Sequence, residues 1–349
     1  MRFRKASRSL SGAAVLCLWG RTCPAVRDRA CGPVHRDSPG AHGCETTKVN
    51  GSRADHIPVL AGALAEQIDL PPDGVMVDAT IGHGGHSLLF GEKLGPRGLV
   101  IGLDTDEKAV EIARDRLAPL ECRVVVVRGN FARIEQVVRE RGVEQVDFIL
   151  ADLGVSSSQL ADERYGLSFQ RDMPLDMRLD QRLPTTAADI VNEADEKSLA
   201  DLIFEYGQDR ASRRIARFIV KHRATGPIET TGQLAGIVCR ALGRPVKGHK
   251  GRIHPATRTF QALRIAVNNE LENLKHLLAQ MPGLLRTGGF GAVISYHSLE
   301  DGLVKDSFRQ NESEHIYRII TRKPIVPDRR ELAENRRARS AKLRIAQRV

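Results

Sequence analysis

The sequence predicts an α/β fold of the Rossmann-like class, in which a mainly parallel sheet carries helices on both faces. Strand and helix patterns alternate from about His56 to Asp152, as they do in successive β-α-β units. From about Leu160 the strand patterns stop for more than 100 residues, and helical patterns replace them. Strand patterns resume after Gly288-Gly289. We therefore expect one sheet that is interrupted by a helical insert.

Short apolar and β-branched runs predict the individual strands, and one amphipathic run predicts a helix. The helix spans Glu107–Leu117, with Pro119 closing it, and a second helix-like run starts at Ser87. The predicted strands are Val75–Asp78, Leu99–Asp104, Arg123–Arg128, Phe148–Asp152, Phe290–Ser295 and Ala341–Gln347. This order divides the chain into an N-terminal extension at 1–54, a first sheet part at 55–159, the insert at 160–265 and a second sheet part at 266–349.

Two helical patterns stand out beyond Leu160. One sets apolar residues against a basic face, which either binds phosphates or is simply solvated. Its apolar residues are Ala211, Ile215, Phe218 and Ile219, and its basic residues are Arg210, Arg213, Arg214, Arg217 and Lys221. The other pattern is an apolar stripe made of Phe260, Leu263, Val267, Leu271, Leu274 and Leu278.

The most informative stretch joins the first two strands, which end on Asp78 and Asp104. Between them, the glycines of Gly82–Gly85 let the backbone approach a ligand without a Cβ clash. A carboxylate at the tip of the second strand can accept hydrogen bonds from both ribose hydroxyls. Asn130-Phe131 and Asp152 also fall at strand ends. We therefore expect four loops to converge on one nucleoside-binding crevice.

The residues around this turn favour S-adenosylmethionine over NAD. A dinucleotide fingerprint ends on Gly or Ala, but Ser87 occupies that position here. Asp78 stands just before the turn, where an acid repels a pyrophosphate but suits a ligand with a cationic amino-acid end. A glycine-rich turn without any ligand would leave the two strand-end acids unexplained.

The N-terminal extension carries most of the net charge of +10. Its 54 residues hold 10 Lys or Arg against 3 Asp or Glu, whereas the remaining 295 residues hold 43 against 40. The extension has no strand or helix period and is rich in Gly, Pro, Ser and Arg, so we expect it to be disordered. The alternatives for its role are a secretory signal, an organelle transit peptide, an RNA-binding tail or an extension without function.

The cysteine pattern favours a protein of a reducing compartment. The histidine and apolar patterns indicate neither a metal site nor a membrane span. Four of the six cysteines lie in the extension without a C-x-x-C pair, and the body holds only Cys122 and Cys239. His83, His86 and His297 have no regular metal-ligand spacing, so we expect no metal site. No apolar run approaches the roughly 20 residues of a membrane span, and we expect no membrane partner.

Several long runs, in the right order, resemble the ribosomal RNA small-subunit methyltransferase H family, which is also called MraW. The resemblance covers about His56 to Val349. Ile81 and His83 depart from the residues that members often have in the first turn. The matching runs are Gly84–Ser87, Asp152–Leu160, Pro174–Arg178, His254–Ile265, Ser295–Asp301 and Arg339–Arg344.

The resemblance implies a class I methyltransferase sheet with a helical insert. It implies S-adenosylmethionine-dependent methylation of the N4 amine of one cytidine in small-subunit ribosomal RNA, near the decoding centre. The partner is then the small ribosomal subunit, with a homodimer as a further expectation. Cytoplasmic location is expected, with the mitochondrial matrix as the alternative. The cofactor-binding residues carried over from the family are Gly84, Gly85, His86, Asp104, Phe131, Asp152 and Gln159.

The residue that activates the amine is not assigned by the sequence. Asp152 could pull on an amine proton, or it could serve the cofactor instead. His297 is a second candidate, although a lone histidine there is more often a structural hydrogen-bonding group. The competing function is a non-catalytic RNA-binding factor for ribosome assembly, and a third is methylation of DNA or a small molecule. For RNA contact, the best candidate is the loop Arg244–Arg258, with Lys247, Lys250, Arg252 and Arg258.

Overall fold

The computed structural model describes residues 58–246 and 253–349. The extension predicted at 1–54, with its four cysteines, lies outside the described residues. So do Lys247, Lys250 and Arg252 of the basic loop. The division of the body at 159 and 265 remains a prediction.

A seven-stranded mixed sheet forms the body of the protein. Its strands are β1 (Val75–Asp78), β2 (Leu99–Asp104), β3 (Arg123–Arg128), β4 (Val146–Asp152), β5 (Leu285–Ser295), β6 (Tyr317–Ile319) and β7 (Lys342–Arg348). Their order in the sheet is β3-β2-β1-β4-β5-β7-β6. β1 to β5 are parallel, and β7 runs antiparallel to both of its neighbours. The expected α/β sheet of the Rossmann-like class is confirmed.

The second half of the sheet differs from the prediction in detail. The glycine pair Gly288-Gly289 was expected to turn the chain before a strand, but it lies inside β5. Gly288 adopts a φ of +86°, and the pairing of β5 with β4 shifts register between Leu285 and Phe290. β6 was not predicted, because three residues are too few to show an alternating pattern.

Thirteen α-helices occur in the described part of the chain. They are α1 (Ala61–Gln67), α2 (Gly85–Gly91), α3 (Glu107–Leu117), α4 (Ile134–Arg139), α5 (Ser157–Ala161), α6 (Ala187–Glu193), α7 (Glu196–Gly207), α8 (Ser212–Arg223), α9 (Thr231–Leu242), α10 (Thr257–Asn268), α11 (Glu270–Leu284), α12 (Ser298–Ser313) and α13 (Arg329–Glu334). α3 has the predicted limits because Asp106 caps it, accepting a hydrogen bond from the Lys108 amide. Within the described residues, no helix is long and apolar enough to cross a membrane.

Successive side chains of a strand point to opposite faces of the sheet, and both faces are buried because helices cover each of them. On one face, Val77 and Ile149 pack in a core with α4, α11 and α12. On the other face, Met76 and Phe148 pack in a core with α1 and α2. The sheet is therefore the middle layer of a three-layer sandwich. The helices cover its two faces and leave the polar ends of its strands uncovered.

The helical insert has a core of its own, which runs in sequence from Tyr165 to Val267. In α8, Ile215 and Ile219 are buried in it as predicted, but Phe218 is 39% exposed and belongs to the outer face. The long apolar stripe predicted from Phe260 to Leu278 is divided between two cores. Its first half packs in the insert, and Leu274 and Leu278 pack against the sheet.

The division occurs at Asn269, which separates α10 from α11. Asn269 adopts a left-handed conformation with a φ of +51° and ends α10. The buried side chain of Asn268 accepts a hydrogen bond from the Leu179 amide at 2.7 Å and donates to the Met177 carbonyl at 2.7 Å. One residue pair therefore ends the insert helix and ties it to the loop that precedes α6.

Candidate active site

The carboxyl ends of β2 and β4 and the loop after β3 open into one cavity of about 1020 Å³. Asp104, Asn130, Phe131 and Asp152 all line it, and so does Gly82 of the loop after β1, so the four strand-end loops converge as predicted. Asp78, at the end of β1, is only 1% exposed and lies behind the cavity wall. Ligands of parallel sheets bind at this edge because all strand ends and helix starts face it.

Asp104 occupies the position expected for a ribose-binding acid. One carboxylate oxygen accepts a hydrogen bond from the Gly82 amide at 3.0 Å, and the other accepts from the Asp106 amide at 2.9 Å. These bonds hold the carboxylate against the glycine turn. Desolvation by burial dominates nonetheless and raises the pKa of Asp104 to about 6. A ligand that donates hydrogen bonds to this carboxylate would favour its ionised form.

The glycines of the turn have two different roles: one sets the backbone conformation, and two line the cavity. Gly84 is the N-cap of α2 with a φ of +76°, and a Cβ there would lie 3.3 Å from Leu117. It does not line the cavity, so its role is to set the turn. Gly82 and Gly85 do line the cavity and present backbone to it.

A buried row of polar side chains lies beneath the turn. The Asp78 carboxylate accepts hydrogen bonds from the Ser87 hydroxyl at 2.7 Å and from the Thr80 amide at 3.2 Å. His86 is 6% exposed, and neither of its ring nitrogens has a hydrogen-bond partner in the described structure. Its Nε2 is 3.5 Å from a carboxylate oxygen of Asp152. Burial raises the pKa of Asp78, and the nearby Asp152 charge adds to that effect.

Asp152 is held by two groups that sequence reasoning did not single out. The Tyr296 hydroxyl donates a hydrogen bond to Asp152 Oδ1 at 2.7 Å, and the Asp152 amide donates to the Thr80 hydroxyl at 2.6 Å. The guanidinium of Arg337 also lines the cavity on this side. The only sequence signals for Tyr296 and Arg337 are their places in the run Ser295–Asp301 and in a basic run near the C terminus.

Gln159 lies in the cavity wall, but its amide group is occupied. Its Oε1 accepts from the Ser156 amide at 2.9 Å in a capping box at the start of α5. Its Nε2 donates to Asp106 at 3.3 Å. Gln159 therefore joins the loop after β4 to the loop after β2, and any contact with a ligand would add to this role.

The insert supplies the opposite wall of the cavity. Gly166 and Met177 shape its loop: both have positive φ, and a Cβ on Gly166 would lie 2.0 Å from the Pro174 carbonyl oxygen. The run Pro174–Arg178 is therefore a structural feature of this wall. The side chains that the insert and the start of α11 turn toward the cavity include Leu167, Phe169, Met173, Phe260, Gln261, Arg264 and Glu270.

His297 has the structural role that the sequence favoured for it. It is the N-cap of α12, where Nδ1 accepts from the Glu300 amide, and its Nε2 lies 3.2 Å from Glu300 Oε1. Glu270 lies close to both, and in the described part of the chain the side chains of Glu270, His297 and Glu300 are near enough to one another to hold a metal ion. Arg264, however, binds Glu270 with two hydrogen bonds of 2.8 and 2.9 Å. The cluster is therefore already a compensated ion-pair network.

Comparison with known proteins identifies the family. The model of the MraW methylase family matches residues 53–349. The chain belongs to the MraW methylase family.

Relatives in this family cover the whole body of the chain. The ribosomal RNA small subunit methyltransferase H of Geobacter sulfurreducens is 48% identical, over 84% of this chain and 99% of its own. The proteins of the same name from Cyanothece sp. and Clostridioides difficile are 50% and 42% identical, each over 84% of this chain and over 95% and 99% of their own lengths. The chain is a methyltransferase, and the class I fold and family expected from its motifs are confirmed.

The buried Asp78 of this methylase gives a stability prediction. Its raised pKa means that the folded state binds this proton more tightly than the unfolded state, whose ordinary value is 3.8. The ionised form therefore costs stability as the pH rises above about 4. Asp78→Asn should raise the free energy of unfolding, by an amount that grows between pH 4 and 7. Urea unfolding at several pH values measures this.

The matched control for that experiment is Asp73→Asn, because Asp73 is 59% exposed and 3.8 Å from its Arg97 partner. We expect no comparable pH-dependent gain from it. An Asp78→Asn variant that loses stability evenly from pH 4 to 7 would contradict the interpretation.

Proposed function

We propose that this chain transfers the methyl group of S-adenosylmethionine to the N4 amine of one cytidine in small-subunit ribosomal RNA, near the decoding centre. Family membership supplies the reaction class. The observation that carries the proposal is the cavity in which Asp104, at the tip of β2, and Asp152, at the tip of β4, face one ligand space. That space could hold a cofactor and a nucleotide side by side.

The residues present fit S-adenosylmethionine. Asp104 would accept hydrogen bonds from the ribose hydroxyls, and the half-buried Phe131 ring would lie beside the adenine. His86 would bind the cationic amino-acid end of the cofactor. Its two buried ring nitrogens lack hydrogen-bond partners in the described structure, so one of them is available to a ligand. When bound, the cofactor supplies an activated methyl group on a sulfonium. Gly84, Gly85 and Gln159 complete the proposed set by shaping the turn and linking the loops.

Asp152 is the group best placed to act on the amine. The lone pair of the cytosine amine is delocalised into the ring, so an acceptor that pulls on an N4 proton favours attack. As the nitrogen bonds to the methyl carbon it gains positive charge, and it must then lose a proton. A carboxylate at this point stabilises that charge and can accept the proton. Asp152 is 21% exposed, toward the cavity, so at least part of its carboxylate remains accessible.

The basic face of α8 supports an RNA partner. Arg213, Arg214, Arg217 and Lys221 are exposed, and the helix contains no acidic residue. Among them, Arg217 has a loose ion pair, at 3.7 Å from Glu196. α8 begins close to the cavity, since Gln208, just before it, accepts a hydrogen bond from Ser298 at 2.5 Å. Phosphates of a folded RNA could bind here while the target cytidine is splayed out into the cavity.

We further propose that the enzyme acts in the cytoplasm on the small ribosomal subunit. The bacterial relatives carry the name of a small-subunit RNA methyltransferase, which supports this substrate. A homodimer and the mitochondrial alternative stay predictions from the sequence.

The proposed product is tested by mass spectrometry of digested small-subunit RNA from cells with and without the enzyme. N4-methylcytidine at one site should appear only with the enzyme. 5-Methylcytidine would contradict the proposal, because that chemistry uses a cysteine nucleophile. Neither Cys122 nor Cys239 is among the residues that line the cavity. Absence of any enzyme-dependent methylated nucleoside in the RNA would instead support the assembly-factor alternative.

Cofactor binding should depend on pH through Asp104. Its pKa of about 6 means that the carboxylate is mostly protonated at pH 5 and mostly ionised at pH 7. Because the ionised form accepts the ribose hydroxyls, affinity should fall about tenfold from pH 7 to pH 5. Calorimetry should also show about half a proton released per ligand bound near pH 6. Asp104→Asn should bind weakly with a flatter pH profile; an unchanged profile would remove Asp104 from the cofactor site.

The basic face of α8 should contribute to RNA affinity and not to chemistry. The double variant Arg214→Ala with Lys221→Ala should raise KM for small subunits and leave kcat unchanged. Each lost phosphate contact should lower the slope of log affinity against log salt by about 0.7–0.9. The control is Arg97→Ala, an exposed arginine with a similarly loose partner. Equal effects of both variants would argue against a specific RNA surface on α8.

A further inference from the structure

We infer that Tyr296 is a positioning residue that aims the Asp152 carboxylate at the substrate amine. The inference rests on the proposed function, because it concerns the same methyl transfer. It adds a residue that lies in the run Ser295–Asp301 but to which the sequence assigns no role. The motivating fact is that the tyrosine hydroxyl donates a hydrogen bond to one oxygen of this acid.

The contacts around Asp152 leave one oxygen for the ligand space. Oδ1 accepts from the Tyr296 hydroxyl at 2.7 Å. Oδ2 faces His86, whose Nε2 is 3.5 Å away and lies outside hydrogen-bond geometry. The backbone of Asp152 is itself tied to Thr80. Rotation of the carboxylate would break the bond to Tyr296, so this bond fixes which oxygen remains available for an amine proton.

Besides its bond to Asp152, Tyr296 is held by two further contacts. Its amide donates to Glu300 Oε2 at 2.8 Å, and the same oxygen accepts from the His297 amide in the capping box of α12. Its ring packs on Gly154, which has a φ of +106° and where a Cβ would lie 3.1 Å from a ring carbon. The glycine of the run Asp152–Ser157 thus makes room for the ring, and its open conformation explains why a residue with a side chain would not serve there.

The Tyr296 hydroxyl stays a hydrogen-bond donor throughout the pH range in which the enzyme is assayed. Burial and the Asp152 charge raise the pKa of Tyr296 far above its ordinary value, so the phenol stays protonated. It cannot therefore be the general base. The other charged or titratable groups that face Asp152 are His86 from α2, Asp78 from β1 and Arg337 from the C-terminal segment.

A fixed acceptor matters because methyl transfer requires the amine, the methyl carbon and the leaving sulfur to be aligned. An acid that could rotate would lose part of this alignment and would be hydrated by water in the cavity. Loss of the donor also removes a hydrogen bond that favours the ionised carboxylate. The effect should therefore appear in kcat and in its pH profile, and not in binding.

The test compares Tyr296→Phe with Tyr317→Phe. Tyr317 is also buried, at 3% exposure, but its hydroxyl has no hydrogen-bond partner in the described structure. For each variant one measures kcat and KM with small subunits that lack the modification, S-adenosylmethionine affinity by calorimetry, and thermal unfolding.

We expect Tyr296→Phe to lower kcat about 10- to 100-fold, with KM and cofactor affinity within about twofold of the parent, from lost alignment alone. The acid limb of its kcat profile should move to higher pH, and Tyr317→Phe should match the parent. Unchanged kcat and pH profile in Tyr296→Phe would overturn the inference, and so would a loss explained by KM, cofactor affinity or unfolding. If the parent makes no N4-methylcytidine, the proposed function fails instead.

Discussion

The clustering of three carboxylates, Asp78, Asp104 and Asp152, at one edge of the sheet is the constraint on which the site depends. The Asp152 charge raises the energy of the ionised form of Asp78, and Asp78 does the same to Asp104. Backbone amides, Ser87 and Tyr296 offset only part of this cost. This edge therefore concentrates negative charge, and a ligand that brings positive charge and hydroxyl donors would offset it. The same acids would repel the pyrophosphate of a dinucleotide.

The cavity exists because two separate cores meet at one helix boundary. The sheet core and the insert core share no buried residue, and the chain passes between them at Asn268–Glu270. Asn268 bonds the insert loop that forms the far wall, while Arg264 bonds Glu270 at the start of the next helix. Glu300 and His297 sit close to that ion pair and cap the helix after β5. Polar contacts thus set the spacing between the cofactor side and the substrate side.

Local patterns were sufficient for most of the fold. The first three strands and α3 begin and end where the pattern places them, because an alternating or amphipathic run and a capping aspartate act over a few residues. The same logic failed for the apolar stripe from Phe260 to Leu278, which is continuous in sequence but serves two cores. It failed too for β6 and for the bulge at Gly288, since edge pairing and register depend on neighbours that are distant in the chain.

The sequence by itself determined the chemistry of the strand ends: an acid for ribose hydroxyls, glycines for close approach, and the order of motifs that identifies the family. The structure alone decided which of these groups reach a ligand. Gly84 shapes the turn without lining the cavity, Asp78 acts from behind the wall, and Gln159 links two loops. Tyr296 and Asp152 are 144 residues apart in the chain and are joined by one hydrogen bond. Only the parallel packing of β4 beside β5 brings their ends together, and no local pattern carries that information.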